Sequence, residues 1–298
     1  MVDTICVLAL DAADYGVIKK LNCNNILLEE HGKLEVFSHN FDVPQTMEVW
    51  PSVATGTSPK EHGISNDPER WRNPILRRAS SISSWLPDRV RELLGIPFQM
   101  VGAERSMQTI ATDHAFDEVY GWPGVTDSKH LQQAWEWYHE ALQGELPTEE
   151  LDHRMRANTG KELGWLASMS RSDARIVGVH SHVLDVAGHV YGDDPDRLRA
   201  VYQWVDDLVS WMRTYVDQLI ILSDHGMENK ICGDDEPGTH SWRAMVSTQG
   251  LSGPLPESAL DVRTWLEERT DTTSCKSEDN VDVSDVEKHL IELGYIDE

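Results

Sequence analysis

The sequence predicts an α/β fold: a mostly parallel central sheet flanked by helices. Short apolar runs at 4–10 (TICVLAL), 174–179 (ARIVGV) and 218–223 (QLIILS) have the length and composition of strands buried on both faces. Between the last two, Leu198, Val201, Val205, Leu208 and Met212 recur at helical spacing over 194–215. Strand, helix, strand with crossovers of about 20 residues is the pattern of parallel pairing.

The remaining elements follow in chain order. The first run ends in Asp11, and residues 14–30 read as a helix with Val17, Ile18 and Leu21 on one face. LEVF at 34–37 reads as a short strand. Residues 46–64 open with a loop and enter a helix at about Pro51, because proline suits a first helical turn; Gly56 and Pro59 then break it. Helices are expected near 85–94, 127–143 and 148–169, with a strand at 97–102. Trp122, Trp135, Trp137 and Trp165 fall in this part of the chain and read as core or lid packing. Residues 270–283 read as a polar, acidic loop, and 284–294 as an amphipathic helix docked on the body. The whole, 1–298, is expected to be one catalytic domain, with 65–173 as an inserted, cap-like region.

Composition narrows the function. The chain has 298 residues, 51 of them acidic and 26 basic, for a formal net charge of -25. That balance argues against binding a nucleic acid polymer or an anionic membrane surface through charge. No apolar run approaches the ~18 residues needed to cross a bilayer. The N-terminal run lacks a basic leader and stops at Asp11, so it reads as a strand rather than a signal segment. Cys6, Cys23, Cys232 and Cys275 form no CxxC pair and read as free thiols of a reducing, cytoplasmic compartment. Spread acidity, with 17 arginines against 9 lysines, is similar to proteins of salt-accumulating halophiles.

Candidate chemistry gathers after the strands. Asp11 follows the first, Asp185 and His189 follow the run at 174–179, and Asp224 and His225 follow 218–223; His240 lies in GTHSW. Ligands of open α/β sheets sit at the carboxyl ends of strands. A mixed Asp/His set suits zinc or manganese better than calcium. Six ligands are too many for one tetrahedral zinc and divide into two groups of three, each with a position left open for substrate oxygen. Two such ions about 4 Å apart clamp an in-line displacement at phosphorus.

Four segments together resemble the alkaline phosphatase superfamily, in its type I phosphodiesterase/nucleotide pyrophosphatase branch: LALDAAD (8–14), TMEVWPSVATGTSPKEHGI (46–64), DVAGH (185–189) with LSDHGM (222–227), and GTHSW (238–242). The tail VEKHLIELGYI (286–296) is similar to the branch's ending. The resemblance implies an alkaline phosphatase-like fold and a metal-dependent hydrolase of small phosphodiesters or phosphoanhydrides. It makes Thr46 the nucleophile, attacking phosphorus to give a phospho-threonine intermediate. It assigns Asp185, His189 and His240 to one divalent ion, and Asp11, Asp224, His225 and the Thr46 hydroxyl to the other. Metal coordination would lower the pKa of a hydroxyl that is otherwise a poor nucleophile. His62 and Gly63 read as structural, Trp50 as packing near the nucleophile loop, and His180 and His182 as pocket or supporting residues without a fixed role.

The chain departs from the branch at Val49, where nucleotide pyrophosphatases carry an asparagine that donates to a phosphate oxygen; this weakens the expectation of a nucleotide substrate. Ala12 replaces the common glycine after Asp11. No sulfatase C/S-x-P-x-R motif occupies the nucleophile segment, and an insertion of about a hundred residues is smaller than that of the phosphomutases. A phosphomonoesterase is the enzymatic alternative, and a metal-stabilised binding domain the non-enzymatic one.

Overall fold

The computed structural model describes residues 4–64, 113–126 and 129–270. The helix and strand expected at 85–94 and 97–102, and the tail from 271 onward, lie outside the described residues. Among the described residues a six-stranded sheet runs in the order β2 (Glu30–Lys33), β8 (Met245–Gln249), β5 (Gln218–Leu222), β1 (Ile5–Leu10), β4 (Ile176–Ser181), β3 (Glu118–Tyr120). Its centre is β1 (Ile5–Leu10), parallel to β4 (Ile176–Ser181) on one side and to β5 (Gln218–Leu222) on the other. β3 (Glu118–Tyr120) adds in parallel to β4. β8 (Met245–Gln249) runs antiparallel to β5, and β2 (Glu30–Lys33) antiparallel to β8. The fold is therefore α/β with a mostly parallel sheet. Residues 113–126 and 129–173, within the segment expected to be inserted, supply the edge strand β3 and two helices, α5 (Lys129–Leu142) and α6 (Thr148–Met169).

The apolar runs are continuous because both faces of the sheet are covered. Along β1, Cys6, Leu8 and Leu10 enter one core cluster while Ile5, Val7 and Ala9 enter the other. The first cluster is closed by α1 (Tyr15–Leu21), α6 and α8 (Pro195–Met212), and the second by α3 (Thr46–Thr55) and α9 (Val262–Thr270). Among the described residues, no helix is long and apolar enough to cross a membrane.

Four boundaries depart from the sequence reading. The helix expected over 14–30 ends at Leu21, where Asn22 turns left-handed (φ 55°) and its N–H caps the last carbonyls; α2 (Asn24–Leu27) is a separate turn. Asparagine tolerates that conformation, and the Asn-rich stretch 22–25 carries the break. The strand expected at 34–37 lies four residues earlier, as β2, whose polar sequence hides an edge strand. Leu34 and Val36 are buried nonetheless, and Glu35 makes an isolated bridge to Ser258. β4 runs two residues beyond the apolar stretch, because His180 and Ser181 still pair with Ala9 and Leu10.

The fourth correction bears on the site. α3 begins at Thr46, not near Pro51, which sits inside the helix. Side-chain hydroxyls hydrogen-bond carbonyls around the proline: Ser52 to Glu48 and Thr55 to Pro51. The helix ends at Gly56, left-handed at φ 67°. A capping box of Ser58 and Glu61 then starts α4 (Pro59–His62).

Candidate metal centre

Three strands and two helices deliver the polar side chains to one edge of the sheet. Asp11 leaves β1, and Asp224 and His225 leave β5. α7 (Val183–Tyr191) starts directly after β4 and carries Asp185 and His189 four residues apart, hence on one face. His240 lies in β7 (His240–Ser241), paired antiparallel with β6 (Gly226–Met227). Thr46 is the first residue of α3.

These seven residues meet. His189 Nε2 lies 3.4 Å and His240 Nε2 3.7 Å from Asp185 Oδ1. His225 Nε2 lies 3.4 Å from Asp11 Oδ1, 3.3 Å from Asp224 Oδ2 and 4.0 Å from Asp185 Oδ1. The Thr46 hydroxyl lies 3.4 Å from Asp11 Oδ1 and 3.4 Å from His225 Nε2. Asp185, His189 and His240 bring ligand atoms within 4.8 Å of one another, as do Asp11, Asp185 and His225. Asp224 stands beside this second group, with Oδ1 accepting from the Ala12 N–H at 3.2 Å and Oδ2 turned to His225.

Backbone carbonyls orient two of the candidate ligand rings. His240 Nδ1 donates to the Pro44 carbonyl at 2.9 Å, and His225 Nδ1 to the Gly226 carbonyl at 3.0 Å. Each ring therefore aims Nε2 at the carboxylates, the usual arrangement for an imidazole held ready as a ligand. The rings stack at 3.8 Å.

The charge distribution calls for cations. Asp11, Asp185 and Asp224 are at most 1% exposed. Among the described residues, both Asp185 oxygens, Asp224 Oδ2 and His189 Nε2 are buried without a hydrogen-bond partner. Burial opposes charge on Asp11, yet His182 and His180 hold it well below the usual carboxylate range. Asp185 is likewise held low, against its burial, by His182 and His189. Burial, reinforced by Asp11 and Asp185, pushes Asp224 well above the normal value. Burial and the neighbouring His240 depress His225 to about 4. Three converging carboxylates with oxygens left over, and imidazole nitrogens aimed at them, fit divalent cations.

The positions flanking the motifs also have an account. His62 Nε2 meets the Ser52 hydroxyl at 2.9 Å, its Nδ1 accepts from the Ile64 N–H, and Gly63 is left-handed at φ 73°. Trp50 is fully buried, edge-on to Trp122 and to His180. Ala12 occupies φ 56°, where glycine is at ease and alanine is strained, so the missing glycine is felt in the backbone beside Asp11. Val49 is fully buried in the core cluster beneath α3 and offers nothing to a phosphate.

Sequence reasoning left His180 and His182 without a role, and both bind Asp11 Oδ2, at 2.9 and 2.8 Å. His182 Nε2 also lies 3.0 Å from Asp185 Oδ2, so one ring spans a carboxylate from each group. His180 lies in β4 and His182 follows the strand's last residue as the N-cap of α7, so both stand beside the end of β1. Trp135 of α5 packs on the His182 and His189 rings, at 5.3 and 6.0 Å, a contact with no local sequence signal.

Fold and site together define an α/β protein with clustered metal-ligand side chains at the carboxyl edge of its sheet. Residues 7–288 match the family described as type I phosphodiesterase / nucleotide pyrophosphatase, and the chain belongs to that family. Among curated proteins, no relative matches it. Murine ectonucleotide pyrophosphatase / phosphodiesterase 5 is 18% identical over 76% of this chain, with a TM-score of 0.42. Alkaline phosphatase from the Antarctic bacterium TAB5 is 10% identical over 91% of this chain and 98% of its own, with a TM-score of 0.46. Phosphonoacetate hydrolase from Sinorhizobium meliloti 1021 is 16% identical over 76% of this chain, with a TM-score of 0.36. The chain spans 57% of the length of the murine and Sinorhizobium proteins.

Proposed function

We propose that the protein is a metal-dependent hydrolase of phosphodiester or phosphoanhydride bonds in small molecules, with Thr46 as nucleophile. The observation that carries this reading is the place of the Thr46 hydroxyl, 3.4 Å from both Asp11 and His225 at the start of α3. Asp185, His189 and His240 would hold one divalent ion, and Asp11, Asp224, His225 and the Thr46 hydroxyl the other, with zinc the first candidate and manganese the second. Bound ions would neutralise phosphate charge and favour the threonine alkoxide.

The chain's own residues account for the rest of the displacement. Thr46 is the first residue of α3, and a helix N-terminus favours an anion beside it. Thr46 Oγ forms a bond to phosphorus while the bond to one ester oxygen breaks, and that oxygen leaves as an alcohol after taking up a proton. Water then cleaves the Thr46–phosphorus bond, restoring the hydroxyl and releasing the phosphomonoester. Asp11, held in its charged form by His180 and His182, is a weak base that stands ready for a cation, and the Thr46 proton passes to solvent water. The chain as one catalytic domain, with 65–173 shaping substrate choice, belongs to the same reading.

Hydrolysis of bis-p-nitrophenyl phosphate against p-nitrophenyl phosphate, in molar potassium chloride with zinc or manganese supplied, tests it. The expected result is a diester preference that disappears with chelator. A monoester preference would make the protein a phosphatase. Turnover of neither by folded protein carrying two metals would favour a binding role.

A further inference from the structure

Asp14 lies three residues after Asp11, fully buried, and the reading above gives it no task. Its Oδ1 accepts from the Gly16 and Val17 N–H groups, at 2.8 and 3.1 Å, and so caps α1. Its Oδ2 faces the other way and takes three donors: the Met227 N–H at 3.0 Å, the Ser241 hydroxyl at 3.2 Å and Arg243 Nε at 2.7 Å. One carboxylate thus joins the end of β1 to both strands of the β6–β7 hairpin. Arg243 continues the connection, reaching the Met227 carbonyl at 2.8 Å and Asp234 at 2.6 Å, while its own carbonyl accepts from Tyr15 N–H at 3.0 Å.

The lever arms to the site are short. His240 is adjacent to Ser241 and opposite Met227, and His225 immediately precedes Gly226. Gly226 makes the fit explicit. A Cβ there would stand 2.5 Å from Asp14 Oδ2 and 2.6 Å from Ser241 Oγ, so the hairpin can reach the carboxylate only with glycine at this position. The hydrogen bonds run to backbone and side chains of the segments that carry two imidazoles, not to the imidazoles themselves.

We propose that Asp14 and Arg243 form a clasp that sets His225 and His240 against Asp11, and that they are positioning residues for the metal centre. This rests on the metal reading above. A clasp of this kind fixes ligand separation before any ion arrives, and residues supporting ligands typically change metal affinity by 10–100-fold.

The test titrates cobalt(II) alone into metal-free wild type, Asp14→Asn and Arg243→Lys, following visible d–d absorption, with unfolding curves recorded in parallel. Asn keeps the shape of Asp14 but not its charge, and Lys keeps the charge of Arg243 but cannot span Asp14, Met227 and Asp234 together. The expected result is that both variants fold but bind at least one cobalt ion about tenfold more weakly, with an altered absorption envelope. Folded variants that bind both ions within twofold of wild type, even with lower thermal midpoints, would overturn the proposal and leave the clasp a structural element. If Asp14→Asn does not fold, Ser241→Ala removes one donor to Oδ2, and its cobalt affinity is read in the same way. Wild type that binds no cobalt would instead overturn the metal reading, which separates the two failures.

Discussion

Glu162 of α6 is 4% exposed, and burial pushes its carboxyl up to about 7. Asn158 donates to it at 2.6 Å, and Ser181, His182 and Lys161 favour its charged form without overcoming burial. The folded pKa lies above the unfolded value of 4.5, so the stability from the neutral carboxyl is fully present below pH 4.5. It is lost as pH rises through 7. Glu162→Gln cannot ionise, so it should gain on wild type by about 3 kcal/mol between pH 4.5 and pH 8. Denaturant midpoints of the two proteins across that range check this; a difference independent of pH would refute it. Residues differ in how legible they were. The seven candidate ligands lie beside apolar strands or in motif segments, where spacing betrays them. Asp14, His182 and Trp135 act through contacts between distant segments, and only the folded chain brings those together.

At the scale of elements, long periodic segments were legible and polar or short ones were not. α6 matches the helix expected at 148–169 and α8 stops three residues short of the one expected at 194–215, while β2 and the β6–β7 hairpin have no apolar signature. The start of α3 was hidden because Pro51 looks like a first-turn residue but sits in the body of the helix. Close packing of β4 gives a direct test. A Cβ at Gly178 would lie 2.7 Å from the Phe116 ring, between strand and loop. Gly178→Ala should cost about 1–3 kcal/mol by overpacking. Phe116→Leu in the same chain should return part of that loss, and a double-mutant cycle by urea unfolding measures the coupling. Additive effects would mean that the ring moves aside freely.

Over the whole molecule, a net charge of -25 is an energetic load on the compact state. Screening extends over about 30 Å at 10 mM salt and about 3 Å at 1 M. The thermal midpoint should therefore rise from dilute buffer to molar potassium chloride, and a flat response would remove self-repulsion as a factor. Chelation should lower the midpoint at either salt, because it leaves Asp11, Asp185 and Asp224 buried together without cations.

The decisive measurement is turnover of bis-p-nitrophenyl phosphate by metal-loaded wild type and Thr46→Ala at matched metal content. The variant removes a single hydroxyl, set between Asp11 and His225, and spares every carboxylate and imidazole. With Thr46 as nucleophile, kcat should fall by about a thousandfold or more while the folded variant still holds two metal ions. A variant that turns over within tenfold of wild type would contradict the threonine mechanism.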